Sequence, residues 1–182
     1  MQFETPNQLL TSSAETYSKP DALIYKKDGA WQSLSSMDWL TRARHLALGL
    51  SEMGVRLSDR VALLSENRLE WFLCDSAIQI LGAVNVPIYS TLPATQAAYI
   101  VNDSGSKVVI ASNGDQLRKL AEVSDKLPAV EHVVSFEPHD AIESTSLAEV
   151  ERKGASKAKL EPDLAERFAK AVTPSDLASI VY

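Results

Sequence analysis

The chain has 182 residues, 45% of them hydrophobic and 23% charged, which suits one well-packed domain and excludes a disordered polypeptide. Its 18 basic and 24 acidic side chains give a net charge of -6, so phosphate polymers are repelled and nucleic acid is not an expected partner. The single cysteine, Cys74 in an apolar run, allows no internal disulfide and reads as a small buried hydrophobe in a reducing cytoplasm.

Met1-Gln2-Phe3-Glu4 has no basic region ahead of an apolar stretch, so a secretory signal is not expected. Between Ala22 and Leu34, Asp28-Gly29 separates two short runs and predicts a β-hairpin. Ser35 or Ser36 then offers an N-cap, Leu40, Ala43, Ala47 and Leu50 share one helical face, and Gly54 is a stop. Arg60 to Ser65 is a short apolar run without alternation, as in a parallel strand covered on both faces. Asn67 is expected to cap a second helix, with Glu70 completing a capping box, and that helix runs through Trp71, Ile78 and Leu81 to Gly82. Ala83 to Ile88 reads as a strand, with Pro87 at its end or on an edge.

A third helix is expected from Pro93 to Asn102, a strand from Lys107 to Ala111, a helix from Asp115 to Leu127 and a strand from His132 to Phe136. This alternation predicts an α/β fold: a doubly wound, mostly parallel sheet with flanking helices, preceded by the hairpin. Residues 20–136 form its core within a single unit, 1–182. Residues 137–172 turn polar, and Glu149 with Lys153, like Glu166 with Lys170, suggests short solvated helices in an exposed excursion. Residues 173–182 then become apolar, the start of another buried strand. The longest apolar stretch, Ala77 to Ile88, is interrupted and shorter than the roughly 20 residues that span a bilayer.

Chemistry is sparse. His45, His132 and His139 lie far apart without metal-site spacing, and no Gly-x-Ser-x-Gly elbow is present, so neither a metal ligand set nor a hydrolytic triad is assigned. No glycine-rich phosphate loop occurs among the seven glycines. Trp31, Trp39 and Trp71 read as packing residues.

Ser58-Asp59-Arg60-Val61-Ala62-Leu63-Leu64-Ser65-Glu66-Asn67-Arg68-Leu69-Glu70-Trp71 resembles the Gly-Asp-Arg-Val-Ala…Asn-x-x-Glu-Trp segment of adenylate-forming (AMP-binding) enzymes, with Ser58 where the family often has glycine. Ile80 to Tyr89 resembles the next family motif. Val86-Pro87-Ile88-Tyr89-Ser90-Thr91, followed by Gln96 and Tyr99-Ile100, resembles the variant of long-chain fatty acid–CoA ligases. Asn102 to Lys107 is similar to the following turn, and Ile180-Val181-Tyr182 to the strand that leads into the family's phosphate loop.

The resemblance implies the first subdomain of a large N-terminal domain, in an enzyme that adenylates a long-chain fatty acid with ATP and Mg2+ and then forms a thioester with CoA. It also implies that residues 1–182 alone are inactive and bind none of these cofactors tightly, because the family's catalytic residues lie further on. No catalytic residue is assigned. By the resemblance, Tyr89, Ser90, Thr91, Arg118 and Lys119 are candidate CoA contacts, although the glycine pair some relatives carry in this loop is missing. On a structural reading, Thr91 would instead be an N-cap and Arg118 and Lys119 a solvated helix face. Expected partners are the remaining ATP-binding and C-terminal domains and a second copy in a homodimer, at a cytoplasmic or peripheral membrane location. The alternative is a stand-alone α/β binding module without catalysis.

Overall fold

The computed structural model describes residues 3–182. Helix α1 (Pro6–Tyr17) starts where Thr5 accepts the Gln8 N–H and Pro6 presets the first turn. Strands β1 (Leu23–Lys27) and β2 (Ala30–Leu34) form the hairpin foreseen in the sequence, with Asp28 (φ 50) and Gly29 (φ 79) both left-handed, as a two-residue turn requires. Ser35 caps α2 (Ser36–Glu52) by accepting the Asp38 N–H.

Next come β3 (Arg60–Ser65), α3 (Leu69–Leu81), β4 (Val84–Tyr89), α4 (Ala94–Ser104), β5 (Val108–Ala111), α5 (Gly114–Glu122) and β6 (His132–Ser135). A two-residue strand β7 (Thr145–Ser146) then leads into α6 (Leu147–Leu160) and α7 (Leu164–Ala171). The main sheet is parallel, in the order β4-β3-β5-β6-β7. Its side chains alternate between two cores: Val61, Leu63, Val108 and Ile110 join α2, α3, α6 and α7, while Ala62, Leu64, Val109 and Ala111 join α4 and α5. Helices therefore cover both faces, which is why β3 and β5 carry unbroken apolar runs.

The terminal segment docks on the outer side of β4. Asn85 N–H donates to Ala178 O (3.1 Å) and Ile180 N–H to Asn85 O (3.0 Å), in parallel register. Residue 87 faces the same outward side, so the missing N–H of Pro87 costs no bond to β3.

Several local expectations are corrected. Arg68, not Asn67, occupies the N-cap position of α3 and makes no side-chain cap bond, and Glu70 is taken by the Arg68 guanidinium instead of closing a capping box. Pro93, not Thr91, precedes α4. The helix expected to reach Leu127 ends at Glu122, where Val123 leads into a separate 3-10 turn over Ser124–Lys126.

Nor is the polar stretch a detached excursion. Leu147, Val150 and Gly154 of α6 are buried, and α6 lies along α2 at a glycine contact between Gly49 and Gly154. Its Glu149 and Lys153 still pair on the solvent side, as the sequence suggested, at 3.7 Å. Trp31 also departs from its packing role: it is 73% exposed, whereas Trp39 is buried, donates its indole N–H to Ser76 Oγ at 3.1 Å and stacks near Phe72.

Candidate functional site

Strand order defines where a ligand crevice can form. β3 and β5 are neighbours, yet the helix after β3 (α3) covers one face and the helix after β5 (α5) covers the other. That divergence at the carboxyl ends of two parallel strands is the topological switch point of a doubly wound sheet.

The first residues beyond the two strands meet there. Ser112 Oγ donates to Glu66 Oε2 at 2.6 Å, and Asn113 Nδ2 approaches Glu66 Oε1 at 3.4 Å while its Oδ1 caps α5. Burial pushes the Glu66 carboxyl up, but the Ser112 hydroxyl, its own backbone N–H and Arg68 outweigh this and hold it below the usual range. Arg68 joins the cluster to the outside. Its guanidinium bonds Glu70 (2.8 Å) and Glu137 (2.9 Å), lies 3.6 Å from Glu66, and stands 5.4 Å from the centre of the Phe136 ring. Although burial works against its charge, the bonds to Glu70 and Glu137 hold Arg68 protonated beyond its ordinary range.

On the far side of Arg68, an open cleft of about 710 Å3 separates the hairpin strand β1 from the Asn67–Glu70 turn, with Phe72 and Glu137 in its wall. Above α5, the His139 ring covers Gly114 so closely that a Cβ there would meet it. The Ala141 N–H donates to His139 Nδ1 at 3.1 Å, a bond within the loop after β6 that fixes the ring's orientation.

The residues singled out in the sequence divide between two places. Tyr89 ends β4 with its ring 71% exposed, and Ser90 and Thr91 form the turn that follows. Lys119 reaches this turn from α5, donating to Ser90 O (2.5 Å) and to Gln116 Oε1 (3.0 Å). Arg118 points elsewhere, bonding Asp115 and lying with its guanidinium 3.0 Å from His139 Nε2. Adjacent helical residues diverge by about 100°, so one basic pair serves two loops. These two bonds use two of the three donors of the Lys119 head group.

The Glu66–Arg68–Ser112 cluster was missed in the sequence, although Glu66, Arg68 and Glu70 lie inside the first quoted motif. The available signal was that Glu66 and Ser112 are the first residues beyond two apolar strand runs. Among the described residues no group of three His, Cys, Asp or Glu side chains could hold a metal ion, and no helix is long and apolar enough to cross a membrane. Cys74 is buried, and burial drives its thiol far up, away from reactivity.

The family model of AMP-binding enzymes matches residues 10–182. The long-chain-fatty-acid–CoA ligase FadD15 of Mycobacterium bovis is 33% identical over 166 residues, covering 90% of this chain and 26% of that protein. The uncharacterized protein Rv1549 of Mycobacterium tuberculosis is 38% identical over 91 residues, 50% of this chain and 52% of that one. A crystal structure of the long-chain-fatty-acid-CoA ligase FadD1 from Archaeoglobus fulgidus superposes with a TM-score of 0.80 at 20% identity, over 100% of this chain and 35% of that one, a likeness of fold. The chain thus spans about a quarter of the length of the FadD15 ligase it matches.

Proposed function

The chain belongs to the AMP-binding enzyme family, and from that membership we propose that it is the N-terminal α/β subdomain of an ATP-dependent long-chain fatty acid–CoA ligase. In that reaction the carboxylate of a fatty acid attacks ATP to give an acyl-adenylate and pyrophosphate, and the CoA thiol then displaces AMP. Mg2+ neutralises the departing phosphates. The 33% identity to a long-chain ligase across 90% of the chain carries the reading. Residues 173–182, bridged in parallel to β4 at Ser179, lead toward the phosphate-binding loop, and the remaining ATP-binding and C-terminal domains are the partners of this face.

These 182 residues contain no glycine-rich phosphate loop. They form a scaffold for the site and are catalytically silent by themselves. The ATP–pyrophosphate exchange assay with palmitate tests this: no exchange above background is expected, and measurable exchange would place an active site inside the chain.

The CoA nucleotide lies along Tyr89, Ser90, Thr91 and Lys119, with Lys119 offering its third proton to a phosphate. Arg118 joins only by leaving Asp115 and His139. Amide shifts at Ser90 and Lys119 on addition of millimolar CoA, lost in Lys119→Met, are the expected result. Shifts that are absent or that survive the substitution would remove this assignment. A second reading, a binding module without catalysis, draws support from the likeness to Rv1549, of which the matched segment is about half. An isolated chain that captures a ligand without the other ligase domains would favour it.

A further inference from the structure

Residues 173–182 are held to the rest of the chain unevenly. The Thr173 N–H donates to the Asp176 carboxylate, Gln79 Nε2 donates to Ala178 O at 3.0 Å, and the ladder to β4 runs through Asn85 N–H to Ala178 O and Ile180 N–H to Asn85 O. In a parallel ladder the next bond would run from the N–H of residue 87 to Ile180 O. Pro87 has no such hydrogen, so the ladder stops at Ile180, and Val181 is left 72% exposed. Beyond that break a side chain takes over. The Tyr182 hydroxyl donates to Asp103 Oδ2 at 2.7 Å, and its ring meets that of Tyr99 edge to face, with 6.3 Å between centres.

Tyr99 and Asp103 are four residues apart in α4 and therefore share one helical face. Asp103 lies in the last turn, where the negative end of the helix dipole opposes a carboxylate, and among the described residues no lysine or arginine pairs with it. Helix stability therefore does not account for it. Its bond to Tyr182 is charge-assisted, and that bond pushes the Tyr182 phenol up to about 12. We propose that Asp103 and Tyr99 are positioning residues, which fix through Tyr182 the direction in which the chain enters the phosphate-binding loop. This rests on the ligase reading, in which Ile180-Val181-Tyr182 leads into that loop. Backbone bonds locate the segment as far as Ile180, and the Asp103 contact carries its course two residues further, past the bond that Pro87 cannot make. A displacement of 1 Å can cost roughly a hundredfold in rate, so a loop hinged at Ile180 would hold ATP phosphate poorly.

Two measurements test this separately from the ligase reading. In the 182-residue chain, Asp103→Ala and Tyr182→Phe should each speed hydrogen exchange at the Ile180 amide about fivefold, the effect of losing one such bond, while the Val61 and Leu63 amides of β3 stay protected and report an intact fold. The second uses a chimera of residues 1–182 with the remainder of the FadD15 ligase, assayed by ATP–pyrophosphate exchange with palmitate. There the same variants should lower kcat/KM for ATP about tenfold, short of the loss a full 1 Å shift brings, and leave KM for palmitate unchanged. Asp103→Asn, whose amide oxygen still accepts, should fall in between. The double variant should be no worse than either single one, because both remove the same bond. Lys153→Ala, on the opposite face of the sheet, should change neither measurement. Unchanged exchange at Ile180 overturns the proposal, and so do variants of an active chimera that keep full kcat/KM for ATP or raise KM for palmitate equally. An unmodified, folded chimera without exchange fails the ligase reading and takes this proposal with it.

Discussion

Replacing Gly154 by alanine separates two pictures of residues 137–172 by the sign of its effect. A Cβ at Gly154 would collide with the carbonyl oxygen of His45 and lie 2.7 Å from Gly49 N, while one at Gly49 would lie 2.7 Å from Val150 Cγ1 and 2.8 Å from Val150 C. Most of these obstacles are backbone, so no side-chain rotation relieves them and α2 and α6 must move apart. Overpacking of this kind costs about 1–3 kcal/mol, and an obstructing backbone places it at or above the upper end. Alanine's better helix propensity returns at most about 1 kcal/mol.

A net loss of about 2 kcal/mol is expected for Gly154→Ala. For a urea slope of about 2 kcal/mol per M, that lowers the unfolding midpoint by about 1 M with the slope unchanged. Gly49→Ala should lose a similar amount, and the double variant less than the sum, because one separation of the helices serves both. If α6 were the solvated excursion its charges suggest, Gly154→Ala would raise stability by up to about 1 kcal/mol through propensity alone. A midpoint that rises, or stays put, refutes the packing reasoning.

Ser58 sits at φ 64, a left-handed conformation, with its N–H bonded to Gly82 O at 2.8 Å. Relief of about 1–2 kcal/mol of strain, less the 0.5–1 kcal/mol or so that glycine's flexibility costs, should make Ser58→Gly more stable by about 0.5–1 kcal/mol in urea unfolding; a destabilised variant contradicts this. Burial raises the Asp75 carboxyl against the opposing bonds from Asn85 and Gln79. Its contribution is therefore fully present below the ordinary carboxylate range and is lost as pH rises through the elevated value. Asp75→Asn should flatten stability against pH across that window and be no less stable at neutral pH, as urea midpoints over a pH series would show. Cys74 should resist a thiol reagent in the native protein and react at once in urea; native labelling faster than global unfolding would contradict its burial.

Local signals were legible wherever a residue type has one conformational use. Asp28-Gly29 located the hairpin because both positions need φ above zero, and the unbroken apolar run Arg60–Ser65 gave β3 to the residue because both faces of that strand are covered. Packing between helices was not legible at α6. Its buried stripe includes Gly154, which adds nothing to an apolar count, while Glu149, Arg152 and Lys153 dominate the pattern. The position of Ser58, where the resembling family often has glycine, was legible as a substitution, but its strained backbone was not. At the candidate site, strand order decided everything. Glu66 and Ser112 are 46 residues apart and meet only because β5 inserts beside β3, which no local pattern encodes. Tyr89 to Thr91 and Lys119 were chosen by resemblance and do converge, while Arg118 parts from Lys119 because neighbours on a helix point in different directions.

The most direct test of the proposed function is to put this chain where the reading says it fits. Residues 1–182 replace the matching N-terminal quarter of the FadD15 ligase, and palmitoyl-CoA formation from palmitate, ATP and CoA is measured on the folded chimera. The account predicts thioester formation by the chimera and none by residues 1–182 alone. A chimera that is folded and binds ATP yet makes neither acyl-adenylate nor thioester would contradict it.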